Sequence, residues 1–242
     1  MADVTISSLP LGTPSGSGLI PFSSGSNTLG VPVSAIFQNS DYIGIGASIP
    51  RSSLHLRGPV GDICLDSNAV TNARWRILPQ TGMSTKLFRI YDDTEDKDRL
   101  TIDDQGRVLT PAQPAFRAWN STAQALQGNA LITFNSTNTA YRLLNQGNNF
   151  NNNRFTAPVT GLYHFALNLL LNTGSGGGYW GVGLMSNDTF LDFCYALGTT
   201  QQSLCMSTIV KLNHGDWVEA RATTNGTINL DNSGSFSGYL VG

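Results

Sequence analysis

From residue 130 to the C-terminus the chain repeats one pattern, a strand-length apolar segment followed by a cluster of Asn, Gly, Ser or Thr. The segments are ALITF (130–134), YHFALNLLL (163–171), YWGVGLM (179–185), TFLDFCYAL (189–197), SLCMSTIVKL (203–212), WVEARAT (217–223) and SGYLVG (237–242). Short apolar runs punctuated by turn formers read as antiparallel strands packed into a sandwich; a βαβ fold would interleave longer amphipathic helices. Charged residues make up only 12% of the chain, too few to solvate the outer faces of helices, which supports an all-β reading.

The stretch RFTAPVTGLYHFALNLLLN (154–172) defines the two faces of one strand. Tyr163, Phe165, Leu167, Leu169 and Leu171 alternate onto one face, expected to be core. Leu162, His164, Ala166, Asn168 and Leu170 occupy the other. That second face is too apolar for ordinary solvent contact, so Leu162, His164 and Leu170 are expected at a subunit interface above a core containing Tyr163 and Phe165. His164 there is expected to be a packed neutral side chain, not a ligand.

Charge is uneven along the chain. Residues 1–110 carry 9 Lys/Arg and 11 Asp/Glu, and residues 111–242 carry 5 and 5, so the C-terminal part is expected to bury surface in an assembly. A net charge of −2 gives no basic surface for nucleic acid. No apolar run reaches the ~20 residues a bilayer span requires. The start, MADVTISSLPLG, lacks the basic and apolar regions of a signal peptide, so synthesis in a cytoplasm is expected. Cys64, Cys194 and Cys205 are read as buried free thiols of a reducing compartment.

Three regions follow from this. Residues 1–40 contain LPLGTPSGSGLIPFSSGS (9–26), whose prolines and glycines prevent a helix while its apolar residues argue against a bare linker. They are read as an extended attachment arm. Residues 41–110 read as a β-rich shaft, in which ARWRILPQ and KLFRIYDD alternate apolar with basic residues and RLTIDDQGRVLT reads as strand, turn, strand. The acidic DDTEDKD (92–98) offers oxygen ligands but lacks the glycine and closing glutamate of a calcium loop, so it is read as a solvated turn. Residues 111–242 form the head.

The case for catalysis is weak. His55, His164 and His214 lie in different segments, and no nucleophile elbow, phosphate loop or metal-binding pair of motifs occurs. Asp188 and Asp192 are spaced to suggest a glycosidase pair but read more simply as a turn residue and an edge charge. No enzyme activity, cofactor or metal is expected.

The head resembles a known family. RFTAPVTGLYHF is similar to the F-x-x-P-x-x-G-x-Y-x-F signature of the globular head of complement component one q, a jelly roll shared with tumour necrosis factor. NHGDWVEARA (213–222) resembles that family's glycine-aspartate turn and next strand, SGSFSGYLVG its terminal strand, and PAFRAW (114–119) its first strand. Three departures stand: a longer interval between Phe134 and Phe155, Leu167 where an aromatic is usual, and no preceding collagen repeat. The segments TISSLPLGTPSGSGLIPFSSG (5–25), IGIGASIPRSSLHLRG (43–58) and RLTIDDQGRVLTPAQPAF (99–116) resemble bacteriophage tail-fibre and baseplate proteins instead. Together the resemblances imply a homotrimeric viral tail or baseplate fibre with a jelly-roll tip. Its residues 1–40 would attach to a tail, baseplate or other virion protein, and its jelly-roll tip would bind a host surface glycan or protein. A capsid or neck decoration protein and a non-viral cell-surface module of the complement head family are the alternatives. The family's topology implies that NQGNNFNNN (145–153) and NHGD lie near residue 111. The loops NTGSGGGYW (172–180), GTTQQS (198–203) and TTNGTINLDNSG (223–234) would then lie at the far end, with Tyr179, Gln201, Thr223 and Asn225 as receptor contacts.

Overall fold

A computed structural model describes residues 19–24, 27–32, 36–39, 42–45, 47, 49, 51–57, 61–67, 73–79, 86–136, 143–175, 179–196 and 201–242. The chain divides into two compact units, residues 1–110 and 111–242. All regular elements among the described residues are strands.

In the first unit, β1 (Leu19–Ser24) and β2 (Asn27–Pro32) pair as an antiparallel hairpin within the stretch expected to run as an extended arm. Residues 1–18 lie outside the described residues. Strands β3 (Ile36–Asn39), β4 (Tyr42–Ile45) and β5 (Leu54–Leu56) form a three-stranded sheet, with β4 and β5 parallel. A five-stranded antiparallel sheet then runs in simple succession through β6 (Ile63–Ser67), β7 (Ala73–Pro79), β8 (Phe88–Asp92), β9 (Lys97–Ile102) and β10 (Val108–Leu109).

The alternation in β6 to β8 divides this sheet into two unlike faces. Register pairs Leu65 with Trp75, Ile63 with Ile77, Ile77 with Ile90 and Ile102 with Val108, which places an apolar set on one side. The other side carries ion pairs across strands: Arg74 with Asp66 at 3.5 Å, Arg76 with Asp93 at 2.6 Å and Arg89 with Asp98 at 2.5 Å. The apolar side is open to solvent within one chain, with Leu65 56%, Ile63 42%, Trp75 39%, Phe88 44% and Val108 60% exposed.

The acidic turn 93–96 is a neutralised hairpin turn. Asp92 accepts the N–H groups of Thr94 and Glu95 and a 2.6 Å bond from Arg99 Nη2, which holds its carboxyl below the usual carboxylate range. Asp103 likewise closes the Asp-Gln-Gly turn by accepting the Gln105 and Arg107 N–H groups, with Gly106 at φ +80°.

The head is a two-sheet antiparallel sandwich. One sheet has the order β12 (Gln124–Gln127), β21 (Thr227–Leu230), β16 (Gly161–Ser175), β22 (Gly234–Leu240), β11 (Ala115–Asn120), β13 (Leu144–Gln146), with β19 (Gln202–Leu212) also paired to β16. The other has the order β14 (Phe150–Asn151), β15 (Arg154–Thr156), β20 (Trp217–Thr224), β17 (Trp180–Ser186), β18 (Thr189–Ala196). Between them, Tyr163, Phe165, Leu167 and Leu171 are wholly buried against Val182, Leu184, Val218 and Phe236. Phe116 stacks on Phe150 at 4.6 Å and meets Phe236 edge-on at 4.9 Å, the arrangement that aromatic quadrupoles favour.

Family-like motif residues have steric reasons. A Cβ at Gly161 would lie 2.7 Å from Leu240 Cδ1, and one at Gly238 would lie 2.5 Å from the Phe165 ring and 2.8 Å from that of Phe116. Tyr163 is buried but its hydroxyl donates to the Val159 carbonyl at 2.7 Å, which satisfies the one polar atom it brings into the core.

Two sequence expectations are corrected. ALITF forms no strand: Leu131 makes a single bridge to Arg221, and the Ile132 N–H donates to the Ala220 carbonyl. Cys64 and Cys205 are exposed and Cys194 half-buried, all free, so these thiols are not a buried set.

Candidate functional site: the distal loops and two outer faces of the head

Chain direction fixes the two ends of the sandwich. Gly161 pairs with Leu212 and the Leu162 N–H donates to the Gly242 carbonyl, so the start of β16 and the C-terminus lie together. Leu240 bonds to the Pro114 carbonyl, which brings the first strand of the head to the same end. There the Asn-rich segment turns through the left-handed Asn148 (φ +56°), while Asn152 and Asn153 (φ +51° and +64°) close the other end of the short β14–β15 hairpin, a conformation Asn tolerates better than most residues. The Asn-His-Gly-Asp turn is built around Asp216. Its carboxylate accepts the Asn213 N–H and the Asn187 side-chain amide, both at this end, and these bonds hold it below the usual carboxylate range.

The opposite, distal end gathers the loops after β12, β16, β18 and β20. Ser175 pairs with Thr227, Trp180 with both Thr224 and Ala196, and Leu171 with Gln202. A cleft of about 600 Å³ opens here, lined by Gln127, Gly128, Ser175, Thr224, Asn225, Gly226 and Thr227. Its lining is uncharged and rich in amide and hydroxyl groups, which suits hydrogen bonding to a polyhydroxylated ligand. The Tyr179 backbone is pinned beside it: its N–H donates to Asn225 Oδ1 at 3.3 Å, and its carbonyl accepts the Thr224 hydroxyl at 3.0 Å.

The residues singled out from sequence divide. Tyr179 is 44% exposed and Asn225 and Gln201 are exposed, all at the distal end. Thr223 is a correction: β20 continues through it, opposite Gly181, and it is buried at 6%, so it offers no side chain to a ligand. Trp180 packs into the core while Tyr179 stays outside, standing edge-on to Tyr195 at 5.8 Å. Residues 176–178 and 197–200 of the expected loops lie outside the described residues.

The second face of β16 is exposed in the single chain. Leu162 is 45%, Ile209 62% and Tyr239 49% exposed, brought together by the pairs His164–Ile209 and His164–Tyr239. His164 Nε2 lies 2.8 Å from the Ser207 hydroxyl, and its ring centroid is 5.1 Å from that of Tyr239. Leu170 on the same face is half-buried.

The carboxylates at the β17–β18 hairpin are structural. Asn187 and Asp188 have φ +45° and +64°, as a two-residue hairpin turn requires, and Asp192 accepts its neighbour's N–H at 2.8 Å. Among the described residues, no three His, Cys, Asp or Glu side chains gather as a metal site.

Sequence reasoning did not find the buried charge at Glu219, which is 1% exposed and held by Arg154 and Arg221. Each member looks like an ordinary strand residue alone.

The C1q domain family profile matches residues 115–241. No curated protein matches the chain significantly in sequence. Among solved structures, the globular domain of zebrafish complement 1qA is similar at 18% identity and TM-score 0.42, covering 54% of this chain and 98% of that one. Murine APRIL is similar at 11% identity and TM-score 0.42, covering 53% and 99%. The Eiger TNF of S. frugiperda is similar at 13% identity and TM-score 0.40, covering 54% and 94%.

Proposed function

Because the chain belongs to the C1q domain family, whose head is a binding module and not an enzyme, we propose that it is a homotrimeric virion fibre protein recognising a cell surface. In this reading residues 1–40 attach it to a tail, baseplate or other particle protein. The distal loops bear Tyr179, Gln201 and Asn225 against a host glycan or protein.

One observation carries the oligomeric part. Among the described residues the β6–β10 sheet stands as one layer, and around its Asp92–Arg99 ion pair the apolar side leaves Leu65, Trp75, Phe88 and Val108 exposed in one chain. A single layer of sheet with a bare apolar side is unstable in water without a partner surface. The exposed Leu162, Ile209 and Tyr239 of the head raise the same demand, and closed threefold symmetry meets both without leaving a sticky edge. The particle assignment is supported by the Pro- and Gly-rich first 40 residues and by their likeness to tail-fibre and baseplate segments.

The test is deletion of residues 1–40 in the producing virus. The truncated chain should remain trimeric by sedimentation yet be missing from purified particles by mass spectrometry. Normal incorporation of the truncated chain, or absence of the full chain from particles, would overturn the attachment reading.

A further inference from the structure

Alternation along β17 and β20 sends Val182, Leu184, Val218 and Ala220 into the core and Gly181, Gly183, Glu219 and Arg221 to the outer face. The register places Gly183 between Arg221 on one neighbour and Phe193 on the other, and Gly181 between Thr223 and Tyr195. Glycine inside a strand weakens it and marks a close approach. Here the approach is aromatic. A Cβ at Gly181 would lie 2.5 Å from the Tyr195 ring, and one at Gly183 would lie 2.8 Å from that of Phe190. Phe193 and Tyr195 run nearly parallel, 15° apart with centroids at 5.8 Å, and remain 42% and 49% exposed. The Tyr195 and Phe190 rings lie over the two glycines, and Phe193 stacks beside Tyr195 to extend them into an exposed aromatic strip.

The other flank carries charge. One Glu219 carboxylate holds two guanidinium groups: Oε2 accepts Arg154 Nε at 3.0 Å and Nη2 at 2.9 Å, and Oε1 accepts Arg221 Nε at 2.5 Å. Arg221 Nη1 also donates to the Asn129 carbonyl at 2.7 Å, and Arg154 lies 3.7 Å over the Trp217 ring. One carboxylate needs one arginine for neutrality, so the triad leaves a fixed positive charge. Arg154 Nη1 and Arg221 Nη2 meet no partner among the described residues. In a head with only 5 Lys/Arg, two of them converge here.

We propose that this outer face binds a carboxylate-bearing saccharide, its carboxylate on Arg154 and Arg221 and the apolar face of a sugar ring on the Phe193–Tyr195 strip. Planar guanidinium forks suit carboxylate oxygens, and exposed aromatic faces suit the C–H face of a pyranose. Two strand spacings, about 10 Å, separate the strand of Arg221 from that of the strip, and three, about 14 Å, separate that of Arg154, a span for a short oligosaccharide and not for a single ring. The proposal rests on the reading of the head as a receptor-binding module and adds the chemical class of its ligand.

Titration calorimetry of the full chain with sialyllactose and with a galacturonic acid trimer tests it, against lactose and the carboxyl-reduced trimer. At least one acidic probe is expected to bind at least tenfold more tightly than its neutral counterpart. Arg221→Lys, which keeps a cation for Glu219, and Tyr195→Ser, which leaves the triad intact, should each weaken that binding at least tenfold. Equal affinity for acidic and neutral probes, or no binding of either acid, would overturn the proposal. So would unchanged binding in both variants, or displacement of the saccharide by equimolar sulfate. Dissociation of the assembly by Tyr195→Ser would instead make the strip a contact between copies. Particles that adsorb through the distal loops while the purified chain binds no acidic saccharide would sink this inference and leave the receptor-binding reading standing.

Discussion

Gly238 and Phe165 occupy a space that admits no second β-carbon, since a methyl at Gly238 would lie 2.5 Å from Phe165 Cδ1. The glycine lies on β22, next to β16 at the register pair Phe165–Gly238, so neither strand can retreat without breaking the ladder. Gly238→Ala is therefore expected to destabilise the head by about 1–3 kcal/mol, the usual cost of overpacking. Urea denaturation followed by tryptophan fluorescence measures it, and an unchanged midpoint would contradict the steric reading.

The exposed face of β16 gives a sharper result. Ile209→Glu places a charge where 62% of an isoleucine is exposed, so the isolated fold should tolerate it. An interface should not, because a buried unpaired carboxylate is strongly unfavourable. Sedimentation should convert the assembly to a species near 25.9 kDa with far-UV dichroism retained. A trimer that persists would place the contact on another face.

Acid should loosen the turns before the core. Asp216, Asp92 and Asp103 all have folded-state carboxyls held below their ordinary values, by N–H donors or by arginine. A depressed carboxyl contributes stability that is full above its unfolded value, near 3.9, and is lost as pH falls through the folded value. Asp216→Asn should lower the melting temperature at pH 7, and the gap from the parent should shrink towards pH 2. A gap independent of pH would mean that the carboxylate's charge contributes nothing to the turn.

The distal cleft has its own prediction. Tyr179→Ala combined with Asn225→Ala should reduce adsorption to cells at least tenfold while leaving the oligomer intact. Tyr179 is 44% exposed, so its loss removes little core packing. Full adsorption by a stable double variant would place recognition elsewhere on the head.

Much of the sandwich was legible because burial imposes a period of two on each strand. Tyr163 to Leu171 announced their face at every second residue, and the structure buries each of them. ALITF failed because its partner is remote: the backbone of Ile132 bonds to Ala220, and local apolarity does not distinguish a bridge from a strand. Thr223 was misread for the reverse reason. Two threonines before Asn-Gly look like a loop, but Trp180 pairs with Thr224 and draws the strand past them. The Glu219 triad draws on residues 129, 154, 219 and 221, and no local pattern links positions so far apart.

The bare apolar side of the β6–β10 sheet has a kinetic meaning. In the trimer proposed above, one chain folding alone would reach a dead end there, because the surface that covers Leu65, Trp75 and Phe88 would come from the other copies. The head buries a core of its own, so it can fold first even though its Leu162, Ile209 and Tyr239 still face water. Folding of the N-terminal unit should thus be a reaction of higher than first order, its rate set by how often chains meet. Dilution would then trap the protein with a finished head and an unfinished stem, and the heads would act as the nucleus that raises the local concentration of their own stems.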